Sequence, residues 1–274
     1  MKWSFPIRSW VDLRRCVCET SYCLASHFRD CQNFLLSATH LVTLQLSNIP
    51  HSGYISPEAI VALLSVLSSL RTLWLEFQSR QSRPDGGSRS LPSPKRSILP
   101  ALDYFYFKGV TEYLEELVTR IDAPQLDEVY IIFFDQIDFG CPRLAQFIDR
   151  TPTLRARDNA HVQFGKSCSV ALLARSRTLE IVISCSERYQ QLSSAVQVCI
   201  SSLPRPQVST VEDLYIERRL DWSERVWDNY GIENSLWLEL LLPFTTVKSL
   251  YISEEFALSI AAALQELVGA RITE

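Results

Sequence analysis

Leu126-Asp-Glu-Val-Tyr-Ile131, Val211-Glu-Asp-Leu-Tyr-Ile216 and Val247-Lys-Ser-Leu-Tyr-Ile252 share one frame, aliphatic-x-x-aliphatic-Tyr-aliphatic. Upstream the frame reads Leu41-Val-Thr-Leu-Gln-Leu46, Leu70-Arg-Thr-Leu-Trp-Leu75 and Leu102-Asp-Tyr-Phe-Tyr-Phe107. Strand side chains alternate in direction, so the last two aliphatics of each frame point to one face and the residue between them to the other. A pattern copied this often is an internal repeat, and a repeat sets the architecture ahead of any local feature.

Outward from the frames, the intervening stretches read as helices. Ser56 is a good N-cap, Pro57 suits the first helical position, and Ile60, Leu63, Leu64 and Leu67 fall at helical spacing. Over 111–121, Tyr113, Leu114, Leu117, Val118 and Ile121 share a face. Pro142 opens a helix that turns Leu144, Phe147 and Ile148 inward, and further helices are expected over Tyr189–Leu203 and near Glu233–Leu242. Ser253 caps a last helix whose first turn carries Glu254 and Glu255, favourable to the helix dipole. Gly269 is its expected C-cap, and Arg271-Ile-Thr-Glu274 looks like a ninth strand cut short. Two frames are degenerate. The polar run Arg155–Asn159 breaks the fifth, leaving His161-Val-Gln-Phe164 as its strand, and the sixth, Leu179-Glu-Ile-Val-Ile183, is shifted.

From Leu41 through Leu70, Leu102, Leu126, Leu154, Leu179 and Val211 to Val247, the frames recur roughly every 30 residues. That is the strand-plus-helix unit of leucine-rich repeats, somewhat long and irregular. One such unit cannot bury its own apolar face, whereas stacked units share a continuous core. The expected fold is therefore α/β: a leucine-rich-repeat solenoid of about eight irregular repeats, with parallel strands on the concave face and helices on the convex face. Residues 35–274 form the solenoid in this reading, and residues 1–34 form an atypical N-terminal cap or a segment not native to the fold. Residues 78–97 are rich in Ser, Arg, Pro and Gly and bury too little apolar area to offset the entropy of ordering. They are expected to be a disordered insertion, either a tolerated loop or a basic docking tail carrying Arg80, Arg83, Arg89, Lys95 and Arg96.

The outward position of the frame forms a column: Gln45, Trp74, Tyr106, Tyr130, Gln163, Val182, Tyr215 and Tyr251. Most of it is aromatic, far above the 11% aromatic content of the chain, and aromatic anchors are typical of binding hot spots. The candidate protein-binding stripe is Trp74, Tyr104, Tyr106, Tyr130, Tyr215 and Tyr251. A structural alternative stands beside it, because Tyr and Trp favour strands and their stacking steadies a solvated sheet.

Composition narrows the remaining classes. Hydrophobic content of 47% with 21% charged residues describes a folded chain, and a net charge of −4 gives no reason to expect nucleic acid as a partner. No apolar run is long enough to span a bilayer, and Arg8, Asp12, Arg14 and Arg15 break any signal-peptide pattern. A cytoplasmic or nuclear location is expected, where eight cysteines stay reduced. Cys141, Cys168, Cys185 and Cys199 read as small core residues. Cys16, Cys18, Cys23 and Cys31 with His27 lack the paired C-x2-C spacing of a compact zinc site, so no metal is assigned. No G-x-S-x-G, H-E-x-x-H or glycine-rich phosphate loop occurs, and the remaining histidines, His40, His51 and His161, show no ligand spacing. The chain is expected to be neither an enzyme nor a cofactor binder.

Several strings resemble the leucine-rich-repeat region of fungal, basidiomycete-type F-box-like proteins. They are Leu99-Pro-Ala-Leu102, Gly109-Val-Thr-Glu-Tyr-Leu-Glu-Glu-Leu117, Arg120-Ile-Asp-Ala-Pro-Gln-Leu126, Leu144-Ala-Gln-Phe-Ile148 with Arg150-Thr-Pro152, and Leu264-Gln-Glu-Leu-Val268. The resemblance covers roughly residues 35–270. It implies a repeat surface that holds a protein marked for ubiquitination, and an F-box that docks onto the adaptor of an SCF ubiquitin ligase. No complete F-box precedes the repeats; Asp12-Leu-Arg-Arg-Cys-Val-Cys18 resembles only the second half of one. An adaptor is thus implied as a partner only where an F-box is present. A leucine-rich-repeat scaffold, or a truncated gene product, without a ligase connection is the other reading.

Overall fold

The fold is described by a computed structural model, which covers residues 15–19, 40–80, 96–134, 140–155, 157–175, 177–185, 188–219 and 234–272. Its strands are β1 (Arg15–Glu19), β2 (Thr43–Ile49), β3 (Thr72–Phe77), β4 (Ser97–Ile98), β5 (Tyr104–Gly109), β6 (Ile121–Asp122), β7 (Glu128–Phe133), β8 (Asn159–Phe164), β9 (Cys168–Ala174), β10 (Arg177–Ile183), β11 (Asp213–Arg218) and β12 (Ser249–Ile252). The α-helices are α1 (Pro57–Leu64), α2 (Thr111–Thr119), α3 (Pro142–Arg150), α4 (Arg188–Gln197), α5 (Arg205–Val208), α6 (Asn234–Leu241) and α7 (Glu254–Ile272). Ten strands form one mostly parallel sheet in the order β1-β2-β3-β5-β7-β10-β9-β8-β11-β12, and β4 pairs with β6 in a small parallel ribbon.

Several neighbouring parallel strands are locked together by one recurring turn. The first aliphatic of the frame precedes the strand and is buried at Leu41, Leu70, Leu102, Leu126 and Val211, and is partly buried at Val247. The carbonyl of the following residue then accepts two hydrogen bonds from the next strand in space. Val42 O accepts from the amides of Arg71 and Thr72, Arg71 O from Asp103 and Tyr104, Asp103 O from Asp127 and Glu128, and Glu212 O from Lys248 and Ser249. Because the same frame positions bond each time, neighbouring strands stay in phase, and equivalent residues line up across the sheet.

Burial alternates along the strands as the frame requires. In β3, Leu73, Leu75 and Phe77 are buried while Thr72, Trp74 and Glu76 are half-exposed. The buried rows join one core with the inward faces of the helices, including Ile60, Leu117, Phe147, Leu192, Trp237 and Phe256. Ser56 accepts from the Ala59 amide and so caps α1. The N-terminus of α3 is capped from outside its own sequence: the Glu115 carboxylate on α2 accepts from the amides of Arg143 and Leu144. Gly109 closes β5 against Phe107, and a β-carbon there would lie 2.6 Å from the Phe107 ring.

Four expectations are corrected. First, the sheet is not wholly parallel, because β9 pairs antiparallel with both β8 and β10. Only Gly165-Lys-Ser167 separates β8 from β9, and two residues separate β9 from β10. A parallel crossover needs a dozen residues or more, so the chain has to reverse. Second, β10 rather than β8 lies beside β7, while β8 lies beside β11, so the strands of the fifth and sixth repeats are exchanged in space. Third, Gly269 and Arg271–Ile272 continue α7; they form neither a C-cap nor a ninth strand. Fourth, the two ends of the supposed insertion at 78–97 are built into the fold. The Gln78 amide donates to Ile49 O, and the Ser97 amide to Arg120 O at the start of the β4–β6 ribbon. Residues 81–95 lie outside the described residues. So do the side chains of Cys16, Cys18, Cys23, His27 and Cys31, although the backbone of 15–19 adds β1 to the sheet beside β2.

Candidate functional site

The face of the sheet opposite the helices is the candidate site. The strand registers define its central row from β2 to β12: Gln45, Trp74, Tyr106, Tyr130, Glu180, Ala171, His161, Tyr215 and Tyr251. The stripe residues Trp74, Tyr106, Tyr130, Tyr215 and Tyr251 are all brought into this one row. Tyr104 is half-buried in the adjoining row, opposite Glu128. Two positions expected in the column are not there. Gln163 is one row further on, opposite Glu217, and Val182 is buried opposite Ile132. Their places are taken by His161 and Glu180. The difference has one cause: β9 runs antiparallel between β8 and β10, and the residues of these two strands that enter the row lie two positions before those expected from the frame.

The aromatic side chains form two stacks. Trp74 and Tyr106 lie 3.6 Å apart between ring centroids with planes 11° apart, and Tyr106 and Tyr130 lie 5.6 Å apart at 10°. On the far side of β10 and β9, His161 stacks on Tyr215 at 4.3 Å, and Tyr215 on Tyr251 at 4.4 Å. The rings follow the strand spacing, so each stack presents ring edges and hydroxyls outward. Tyr106 is only 8% exposed in its stack, whereas Tyr251, at the end of the other, is 48% exposed.

Between the stacks lies a notch floored by Glu180 and by Ala171, the smallest side chain in the row. Tyr130 and His161 stand three strands apart across it, about 14 Å. Burial pushes the Glu180 carboxyl above the ordinary carboxylate value, while Arg219, the Ser169 hydroxyl and His161 pull the other way. Burial likewise raises the phenols: Tyr106, helped by the Glu76 carboxylate and by Tyr130; Tyr130, helped by Glu180 and opposed by Arg219; and Tyr104, helped by Glu128. These phenols therefore stay neutral and serve as hydrogen-bonding groups on an aromatic body.

Charged pairs lie in the adjoining row, which runs through Glu76, Lys108, Gln163 and Glu217. Lys108 donates to Glu76 at 3.0 Å, and the Trp74 indole N–H donates to the other Glu76 oxygen at 3.4 Å. Glu217 accepts from Gln163 and pairs with His161 Nδ1 at 3.4 Å. His161, Glu180, Ala171 and Arg219 were absent from the sequence-based stripe. The signal that could have found them is the Gly165-Lys-Ser167 spacer followed by the apolar run Val170-Ala-Leu-Leu-Ala174, which reads as a hairpin and its return strand.

No group of three or more Asp, Glu, His or Cys residues that could hold a metal occurs among the described residues. No helix among them is long and apolar enough to cross a membrane. No family model, curated protein or solved structure matches the chain.

Proposed function

We propose that the chain is a non-catalytic protein-interaction module: a leucine-rich-repeat solenoid, interrupted by one antiparallel hairpin, whose open sheet face is a concave binding surface. The observation that carries this reading is the alignment of Trp74, Tyr106, Tyr130, Tyr215 and Tyr251 in a single row on the face of the sheet opposite the helices. Large rigid aromatics supply contact area at low entropic cost, which suits a binding surface. Beside them Lys108 is paired with Glu76, and Gln163 and His161 are engaged by Glu217. On this reading the chain resembles the substrate-recognition part of an F-box protein of an SCF ubiquitin ligase.

Two measurements test the proposal. Proteins retained from a lysate by the immobilised chain are quantified for the wild type and for Tyr130→Ala combined with Tyr215→Ala, with circular dichroism confirming that both fold. Selective loss of retained partners in the double variant supports the open face as the binding surface; an unchanged set eliminates it. Binding of a purified SCF adaptor subunit is measured separately. Its absence, with partner capture intact, leaves an interaction module without the ligase connection.

A further inference from the structure

The proposed interaction face has a charge pattern that specifies the chemistry of its occupant. Its acids are Glu76, Glu128, Glu180, Asp213 and Glu217, and two cations, Lys108 and Arg219, sit beside them. Lys108 is held by Glu76, Arg219 is near enough to Glu180 to favour its charged form, and Glu217 is engaged by Gln163 and His161. Glu128 and Asp213 form no ion pair among the described residues. Both lie in one row, since Glu128 is opposite Thr178, Thr178 opposite Leu173, Leu173 opposite Asn159, and Asn159 opposite Asp213. The residues between them are uncharged, and Ala171 leaves the neighbouring row low at the midpoint.

We infer that this face takes an extended, basic protein segment running across the strands, with two Lys or Arg side chains seated on Glu128 and Asp213. Four strand steps separate the two carboxylates, about 19 Å at ~4.8 Å per step. An extended chain rises ~3.3 Å per residue, so the two cations belong about six residues apart. An even spacing places both on the same side of the segment, as simultaneous seating demands. A small apolar residue between them meets Leu173 and the notch above Ala171, and the flanking stacks supply neutral hydroxyls. Nucleic acid is disfavoured at the same surface because a polyanion would face a net acidic sheet.

This inference rests on the open-face reading, and the test separates the two. Fluorescein-labelled nine-residue peptides of equal length are titrated against the full chain by anisotropy, the first two identical in composition. One carries Arg at positions 2 and 8, a second carries Arg at 2 and 5, and a third replaces both Arg with Glu. The first is expected to bind about five- to tenfold more tightly than the second, to weaken as salt rises, and to lose about fivefold on either Glu128→Gln or Asp213→Asn. The Glu peptide is expected not to bind. Equal affinity for the two Arg spacings, or indifference to both carboxamide variants, overturns the inference. Lysate partners are then measured against the same variants. If capture depends on Tyr130 and Tyr215 but not on Glu128, Asp213 or salt, the charge assignment fails while the interaction face stands. If capture depends on none of them, both fail.

Discussion

Truncating Tyr106 to alanine tests the stacked architecture most directly. The ring is 8% exposed, lies 3.6 Å from Trp74 and 5.6 Å from Tyr130, and is nearly parallel to both. A fully buried tyrosine removes ~150–250 Å² from water, which is worth about 4–6 kcal/mol at ~25 cal/mol per Å². Alanine keeps the β-carbon, the phenol oxygen gains little from burial, and the flanking rings relax partway into the gap. The net cost of Tyr106→Ala is then about 3 kcal/mol. Tyr251→Ala removes a ring that is 48% exposed with one stacking neighbour, Tyr215, and costs about 1 kcal/mol. Tyr106→Phe keeps the stack and stays within about 0.5 kcal/mol of the wild type. Urea unfolding followed by circular dichroism and tryptophan fluorescence measures all three. If Tyr106→Ala and Tyr251→Ala fall within about 0.5 kcal/mol of each other, Tyr106 is not enclosed between two rings and the ladder geometry is wrong.

Gly109→Ala places a β-carbon 2.6 Å from the buried Phe107 ring and should cost about 1–3 kcal/mol in thermal melts; a variant as stable as the wild type would contradict that contact. Gln191 donates to Gly165 O and Cys185 O, so Gln191→Ala strands two carbonyls beneath the hairpin and should cost about 2–4 kcal/mol, with faster amide exchange across β8 and β9. The folded-state pKa of Glu180 lies above the ordinary 4.5, so folding favours its protonated form and stability falls as pH rises from that value through the folded pKa. Glu180→Gln removes this slope; its stability advantage should grow between pH 4 and pH 7, and a flat difference or a decline would refute the shift. Burial pushes the Cys141 and Cys199 thiols up to about 12 and Cys168 well above its ordinary value, so iodoacetamide at pH 8 should label none of them before unfolding, and native-state labelling of any one would overturn this.

The parallel strands β2, β3, β5, β7, β11 and β12 were legible because the repeated frame writes burial and register into the same six positions. The first, fourth and sixth positions of the frame that opens at Leu70 are Leu70, Leu73 and Leu75, all of them fully buried. The Trp74 position was correct because it depends only on alternation. The failure at β8–β10 has the opposite cause. Val170-Ala-Leu-Leu-Ala174 is an apolar run without alternation, and Arg175-Ser176 lacks the Asn-Gly or Asp-Gly signal of a two-residue hairpin turn. Arg175 nevertheless adopts φ 51°, a left-handed conformation that its side chain gives no reason to expect. The nearness of Arg219 to Glu180 was illegible for another reason: it brings the residue after β11 towards β10, and a strand exchange in space carries no mark in a linear sequence.

The same exchange explains why the aromatic row is split. In a run of consecutive parallel repeats, each strand brings the same frame position to the same row, so a Tyr at that position stacks on the next without further specification. β9 runs the other way and carries no frame; it meets the row with Ala171, too small to stack on anything. β10 stands between it and the first stack and contributes Glu180, whose carboxyl is pushed above its ordinary value by burial while Arg219 pulls the other way. Arg219 is in reach only because β11 was displaced to the far side of the hairpin, where its amide donates to Phe164 O of β8. One reversal of the chain thus produces the gap, the acid within it and the nearby cation. A partner that used both stacks would have to bridge about 14 Å of unlike chemistry, a stricter requirement than one unbroken ladder would impose.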